Sequence, residues 1–203
     1  MISYKPISIG NILCNPGSRE PMPGRTGDPT ITLIQTDKDI LVDPGQNHPH
    51  GQIPAAIKLL NAVLPHLHSQ KLYVFLTHFH YDHCSLVNAL EFAATSPRYN
   101  RKFEVIKQTA GEVAEGVRIL PTPGHTPEHK SLEFLTTDGR VCIAGDAVLN
   151  EAYFRGTNRW NRIYLPNEPT KKDIDLTVKS MEIIRNHADI IVPGHGDAFP
   201  VKR

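Results

Sequence analysis

Residues 75–85 read FLTHFHYDHCS, which sets His78, His80, Asp82 and His83 within six residues directly after an apolar run. His78 and His80 alternate, so in an extended chain both imidazoles point to one face and can hold one divalent cation. Asp82 and His83 follow in the expected turn into a helix, where the chain can swing them toward a second cation a few Å away. Three more polar residues stand in punctuated places. PTPGHTPEH puts His125 behind Pro-Gly, IAGDA puts Asp146 directly after a strand-like run, and PGHG puts His195 in a second Pro-Gly-His context. Gly and Pro beside a ligand fix the backbone and allow close approach, and loops at strand ends are where functional residues concentrate. Singly, each has a structural reading: a lone His is more often a surface or satisfied residue, and Asp146 can merely end a hairpin. The crowded segment with three ordered followers points instead to a metal site.

The elements that would position these residues repeat. ITLIQTDKDILVD (residues 31–43) and SLEFLTTDGRVCIAGD (residues 131–146) each pair two β-prone runs across a polar turn and end on an aspartate. A helix and a buried-looking strand follow each. In the first half they are QIPAAIKLLNAVLPHL and LYVFLT, which runs into His78; in the second they are TKKDIDLTVKSMEIIRNHA and DIIVPGHG, which delivers His195. Ile174, Val178, Met181 and Ile184 recur at helical spacing, with Thr170 the expected N-cap and Asp173 at N3. This reads as an internal duplication, two similar halves packed face to face, with chance repetition as the competing account. Two loops lack periodicity, residues 15–29 and 150–169. The second holds Tyr153, Phe154, Trp160 and Tyr164, which favours an ordered functional loop over a disordered one.

A length of 203 residues suits one domain over 1–203. A formal net charge of +1 with 21% charged residues gives no field of one sign that would advertise a nucleic-acid or membrane partner. The opening MISYKPISIGNILCNPG has no apolar run of signal-peptide length, and no stretch approaches the ~18 apolar residues of a membrane helix. A cytoplasmic location is expected. Cys14, Cys84 and Cys142 are odd in number and scattered, which fits reduced thiols.

The motifs THFHYDH, PGHT, GDA and PGHG, preceded by ILVDPG, resemble the metallo-β-lactamase-fold hydrolases, the superfamily of glyoxalase II and the lactonases, in order and spacing over residues 31–196. The resemblance implies an α/β fold, an αββα sandwich of two similar half-domains. It implies that His78, His80 and His125 bind one metal, that Asp82, His83 and His195 bind the other and that Asp146 bridges both. Asp82 and Asp146 would be the catalytic carboxylates. Such ligands suit zinc, with Mn, Fe or Co also compatible. Two cations bring the pKa of a shared water to about 7, so a metal-bridging hydroxide would attack an ester, lactone or thioester carbonyl. Asp43, in LVDPG, would orient an imidazole from behind, or is an ordinary turn residue.

Departures from relatives narrow the choice. The commonest zinc β-lactamases carry Cys where Asp146 stands, and glyoxalase II-like thioesterases add a helical substrate domain where only residues 197–203 follow here. RNA-processing members insert a large domain or carry a basic arm, and flavodiiron proteins replace part of the His loop with Glu; neither pattern is present in the sequence. N-acyl homoserine lactonases share the look of PGHTPEHKSLEF but carry Tyr at the position of Leu149, so Tyr153 or Tyr164 would have to substitute as oxyanion donor. Tyr153, Trp160 and Tyr164 are the candidate substrate-binding residues, with pocket wall or core as their plainer role. Phosphodiester or phosphotriester hydrolysis at the same site stays open, with Arg155, Arg159 and Arg162 available to hold a phosphate. So does a mononuclear non-haem iron sulfur oxygenase, whereas retention of all seven ligands argues against a scaffold that lost turnover. His48 and His50 suit a surface loop, His129 lies four residues beyond His125 as a supporting candidate, and Cys84 suits a packed thiol. The expected partner is a small-molecule substrate, and small members of such families often pair, implying a homodimer.

Overall fold

The computed structural model describes residues 1–10, 27–46, 51–156 and 170–201. Strand β1 (Ser3–Ser8) precedes the hairpin β2 (Ile31–Gln35) and β3 (Asp39–Val42), helix α1 (Gln52–Val63), strand β4 (Lys71–Phe75), the short helix α2 (Tyr81–Cys84), helix α3 (Val87–Thr95) and strand β5 (Lys102–Val105). The second half runs β6 (Gly111–Ala114), β7 (Val117–Pro121), the hairpin β8 (Lys130–Thr136) and β9 (Gly139–Gly145), the short helix α4 (Glu151–Phe154), helix α5 (Lys171–His187), β10 (Ile190–Pro193) and β11 (Phe199–Pro200). Sheet orders are β1-β2-β3-β4-β5 and β11-β10-β9-β8-β7-β6. In each half the hairpin is antiparallel and the strand after the helix returns parallel to it, β4 on β3 and β10 on β9.

Strand alternation builds the layers. Ile31 and Leu33 of β2 pack with Ala56, Leu59 and Leu60 of α1 and Leu90 of α3, while Ile34 faces the other sheet with Phe75, Leu132 and Val141. In β9, Val141 and Ile143 point between the sheets and Cys142 and Ala144 point outward to Ile184 and Ala188. Strands covered on both faces need apolar residues at successive positions, which is why these runs read as nearly continuous. Helices outside two facing sheets give the αββα sandwich. Each fully buried Leu such as Leu60 contributes roughly 1.5–3 kcal/mol. Among the described residues no helix is long and apolar enough to cross a membrane.

Helix α5 has the capping box at Thr170 and Asp173, but its inward face differs from its apolar stripe. Ile174 and Val178 are exposed and Met181 is part-buried; Thr177, Ser180 and Ile184 are the buried residues. The cause is the segment ahead of His125, which lies directly on the helix. Ser180 Oγ donates to the Pro123 carbonyl at 2.6 Å. Gly124, at φ +141°, leaves so little room that a Cβ there would stand 2.4 Å from Thr177 Oγ1 and 2.5 Å from its backbone nitrogen. Only small, hydrogen-bonding residues fit a face approached that closely.

Strand direction then decides where the candidate residues meet. The C-terminal ends of β3, β4, β7, β9 and β10 lead respectively to Asp43, His78, His125, Asp146 and His195. Parallel pairing of β3 with β4 and of β9 with β10 brings those ends to one edge of the sandwich, where open α/β sheets hold their ligands.

Candidate metal centre

Asp43 sits at φ 50°, a left-handed conformation that Asp tolerates better than most residues. Its buried carboxylate lies beneath the His loop. Oδ1 accepts the Thr77 amide at 2.8 Å, and Oδ2 accepts the Thr77 hydroxyl at 2.7 Å and His83 Nδ1–H at 2.9 Å. With the Thr77 proton given to the carboxylate, Thr77 Oγ1 accepts from His78 Nδ1–H at 3.0 Å. One carboxylate therefore fixes two imidazoles, His83 directly and His78 through Thr77, with both Nε2 atoms aimed inward. His78 itself arrives from the end of β4, and Asp82 and His83 from the single turn of α2.

The second half supplies the facing residues. His195 Nδ1–H donates to the Asp28 carbonyl at 2.8 Å and its amide donates to the Leu149 carbonyl at 2.8 Å, which again turns Nε2 inward. Gly194 precedes it because a Cβ there would stand 2.0 Å from Asp146 Oδ1. Asp146 follows β9 directly, and His125 Nε2 lies 2.9 Å from His80 Nδ1 across the two halves.

The seven side chains gather in two groups around Asp146. Its Oδ2 is 3.9 Å from His78 Nε2 and 3.3 Å from His125 Nε2. Its Oδ1 is 3.2 Å from His83 Nε2 and 3.3 Å from His195 Nε2. Asp82 Oδ2 lies 3.8 Å from His83 Nε2 and 3.6 Å from His195 Nε2. The ligand atoms of His78, His80, His125 and Asp146 all lie within 4.8 Å of one another, as do those of Asp82, His83 and His195. His78 Nε2, His83 Nε2 and Asp146 Oδ1 are buried with no hydrogen-bond partner. Buried lone pairs without donors are costly unless something electropositive meets them, and divalent cations fit that donor set.

The electrostatics point the same way. Burial opposes charge on His83, yet the Asp146 and Asp43 carboxylates outweigh it and raise its pKa well above the usual histidine value. His195 is raised against burial by Asp146. Burial would push Asp146 up, but His83, His195 and His125 hold it well below the ordinary carboxylate range. Burial raises Asp82, lowers His78 and, with His125 beside it, lowers His80. Positive charge is thus favoured around Asp146 and resisted by the imidazoles farther from it.

Among the candidates for the pocket, Tyr153 is buried in α4, and burial first and the Asp146 charge second raise its phenol pKa. Leu149 is buried and contributes its carbonyl to His195. Arg155 is committed elsewhere: Nε donates to Glu151 at 2.7 Å and Nη2 to the Pro200 carbonyl at 2.8 Å, with the guanidinium over Phe199. Cys84 is part-buried with a raised pKa from burial, and Cys142 is fully enclosed. Trp160, Tyr164, Arg159, Arg162, His48, His50 and Cys14 lie outside the described residues. Thr77 had no expected role, and its only signal in the sequence is a hydroxyl directly before the first histidine of the loop. His129, buried beside His78 at 5.1 Å between ring centroids, belongs to the setting of the centre.

The family model of the metallo-beta-lactamase superfamily matches residues 94–195. Metallo-beta-lactamase domain-containing protein 1 of Xenopus laevis is 28% identical over 184 residues, covering 86% of this chain and 73% of its own length. N-acyl homoserine lactonase of a Bacillus species is 26% identical over 144 residues, 61% of this chain and 55% of its own. The chain also spans 56% and 63% of two beta-lactamase-like protein 2 homologs. Among solved structures, an N-acyl homoserine lactone hydrolase with the product N-hexanoyl-L-homoserine at its catalytic metal centre superposes with a TM-score of 0.58 at 21% identity, covering 96% of this chain and 92% of that one. At that identity the likeness establishes the fold.

Proposed function

The chain belongs to the metallo-beta-lactamase superfamily, and from that membership we propose that it is a hydrolase of one domain, residues 1–203, working with two divalent cations on the carbonyl of an ester, lactone or thioester. The observation that carries this reading is the division of the Asp146 carboxylate, with Oδ2 toward His78 and His125 and Oδ1 toward His83 and His195. Two cations bound there would supply Lewis acidity and a water acidic enough to ionise near neutral pH. The imidazole and carboxylate donors suit zinc, and Mn, Fe or Co accept the same set.

The chain's own residues do the positioning. Asp43 and Thr77 hold His78 and His83 in the tautomer that presents Nε2, and Asp28 does so for His195. Asp146 keeps its charge deep in the centre, and Asp82 adds a second carboxylate to the His83 and His195 group. Tyr153 is the proposed donor to the oxyanion that develops on the substrate; its raised pKa keeps the phenol protonated across the neutral range. A lactone or similar ester is favoured by the sequence likeness to the Bacillus lactonase. The phosphoester reading loses Arg155, which is occupied by Glu151 and Pro200.

A panel of lactones, thioesters and phosphoesters, assayed with zinc and with manganese beside a His80→Ala control, tests this function. Turnover of a carbonyl ester that the control abolishes is expected. Activity confined to phosphoesters overturns the substrate class, and one iron per chain with substrate-dependent oxygen uptake overturns the hydrolase.

A further inference from the structure

His129 is 2% exposed and makes a hydrogen bond from each side of its ring. The Ala147 amide donates to Nε2 at 3.3 Å. An amide can only donate, so in the neutral ring Nε2 is bare and Nδ1 carries the proton. Nδ1–H then donates to Thr122 Oγ1 at 2.9 Å, Thr122 donates to Ser131 Oγ at 2.8 Å, and Ser131 donates to the Ala144 carbonyl at 3.2 Å. Both ends of the relay are fixed by backbone groups, an obligate donor at one and an obligate acceptor at the other, so its direction is set throughout. Burial agrees with a neutral ring, since it lowers the His129 pKa to about 3, with the charge of His125 the next cause.

The two ends straddle one residue pair. Ala144 precedes Gly145 and Asp146, and Ala147 follows them, so the relay closes across the turn that presents the Asp146 carboxylate. The same residues close the His125 loop, through the Thr122 amide to the His129 carbonyl at 3.0 Å and the His129 amide to the Thr126 carbonyl at 3.2 Å. We infer that His129 is a positioning residue that locks the Asp146 turn to the His125 loop through a one-way relay over Thr122 and Ser131, and so fixes where the Asp146 carboxylate stands relative to His125 within their shared group. No other uncharged side chain offers a donor and an acceptor at opposite ends of a rigid ring. The inference rests on the reading of Asp146 as a metal ligand.

Cobalt(II) titration of the folded protein, read by visible absorption and by competition with a chelator, tests it. His129→Leu is expected to weaken cobalt binding about 10 to 100-fold, the usual cost of losing a partner behind a ligand, and to change the absorption band. Thr122→Val should shift both readings the same way, and Thr122→Ser, which restores the hydroxyl, should bring them back. Should His129→Leu fail to fold, the Thr122→Val and Thr122→Ser pair decides alone. Folded variants with wild-type affinity and spectrum, or a Thr122→Ser that does no better than Thr122→Val, overturn the inference. Wild-type protein that takes up a single cobalt ion overturns the dinuclear reading only, because the variants are still compared at that ion. Protein that binds no cobalt overturns both.

Discussion

Helix α1 rests on its sheet through Ala55, Ala56, Leu59, Leu60 and Val63, whereas α5 turns Thr177, Ser180 and Ile184 inward and leaves Ile174 and Val178 exposed. The two helices occupy equivalent places in the repeated order of hairpin, helix and strand. Their tasks differ. In the first half the loop of His78, His80 and His83 continues from β4 and is held from below by Asp43, so α1 need only cover the sheet. In the second, the segment before His125 lies on α5 itself, through Ser180 and the close approach of Gly124. A hydrocarbon face supplies stability there and a hydroxyl face supplies position here, and the two can be separated by substitution.

Leu60→Ala should have the largest effect on folding, a loss of about 2–5 kcal/mol from the cavity it leaves, with metal affinity of the folded protein unchanged. Urea denaturation beside a metal titration checks both halves of that statement. Asp43→Asn keeps a residue that tolerates the left-handed backbone but replaces the carboxylate behind His83 and Thr77. It should cost about 10 to 100-fold in metal affinity, measured by chelator competition, and a value at wild-type level would remove Asp43 from the account. Ser180→Ala should cost about 1 kcal/mol of stability and weaken the cation held by His78, His80 and His125 more than its neighbour. Equal weakening of both sites would erase the contrast between the helices. Thr170→Ala should have the smallest effect. The Asp173 carboxyl is held below its ordinary value by the Thr170 hydroxyl and amide, so the stability it adds is present above pH 3.8 and fades as the pH falls through its folded-state value. The Thr170 hydroxyl also accepts the Asp173 amide, a bond that does not titrate, so thermal melts of the variant and the parent should differ more at pH 7 than in acid.

The hairpins at residues 31–43 and 131–146, the helix and strand after each, and the Thr170 and Asp173 box were legible because alternation, turn residues and capping are local signals. The seven ligand-type residues were legible because they crowd together or stand beside Gly and Pro. The inward face of α5 was not, since the apolar spacing of Ile174 and Val178 marks a helix without saying which side a loop will press upon. The Pro-Gly context of Asp43 suits a turn residue equally well, and its role lies in the carboxylate that Thr77 and His83 share across separate segments. His129 was harder still, because a relay through Thr122 and Ser131 depends on register between β7, β8 and β9, and no spacing within one segment encodes it.

The central claim is that Asp146 joins two cations, and metal content per chain measured by mass spectrometry on reconstituted wild-type and Asp146→Asn protein tests it most directly. The account predicts two divalent ions per wild-type chain and one or none in the variant, with hydrolysis lost. A single iron in the wild type, or two ions retained at full affinity in Asp146→Asn, would contradict it.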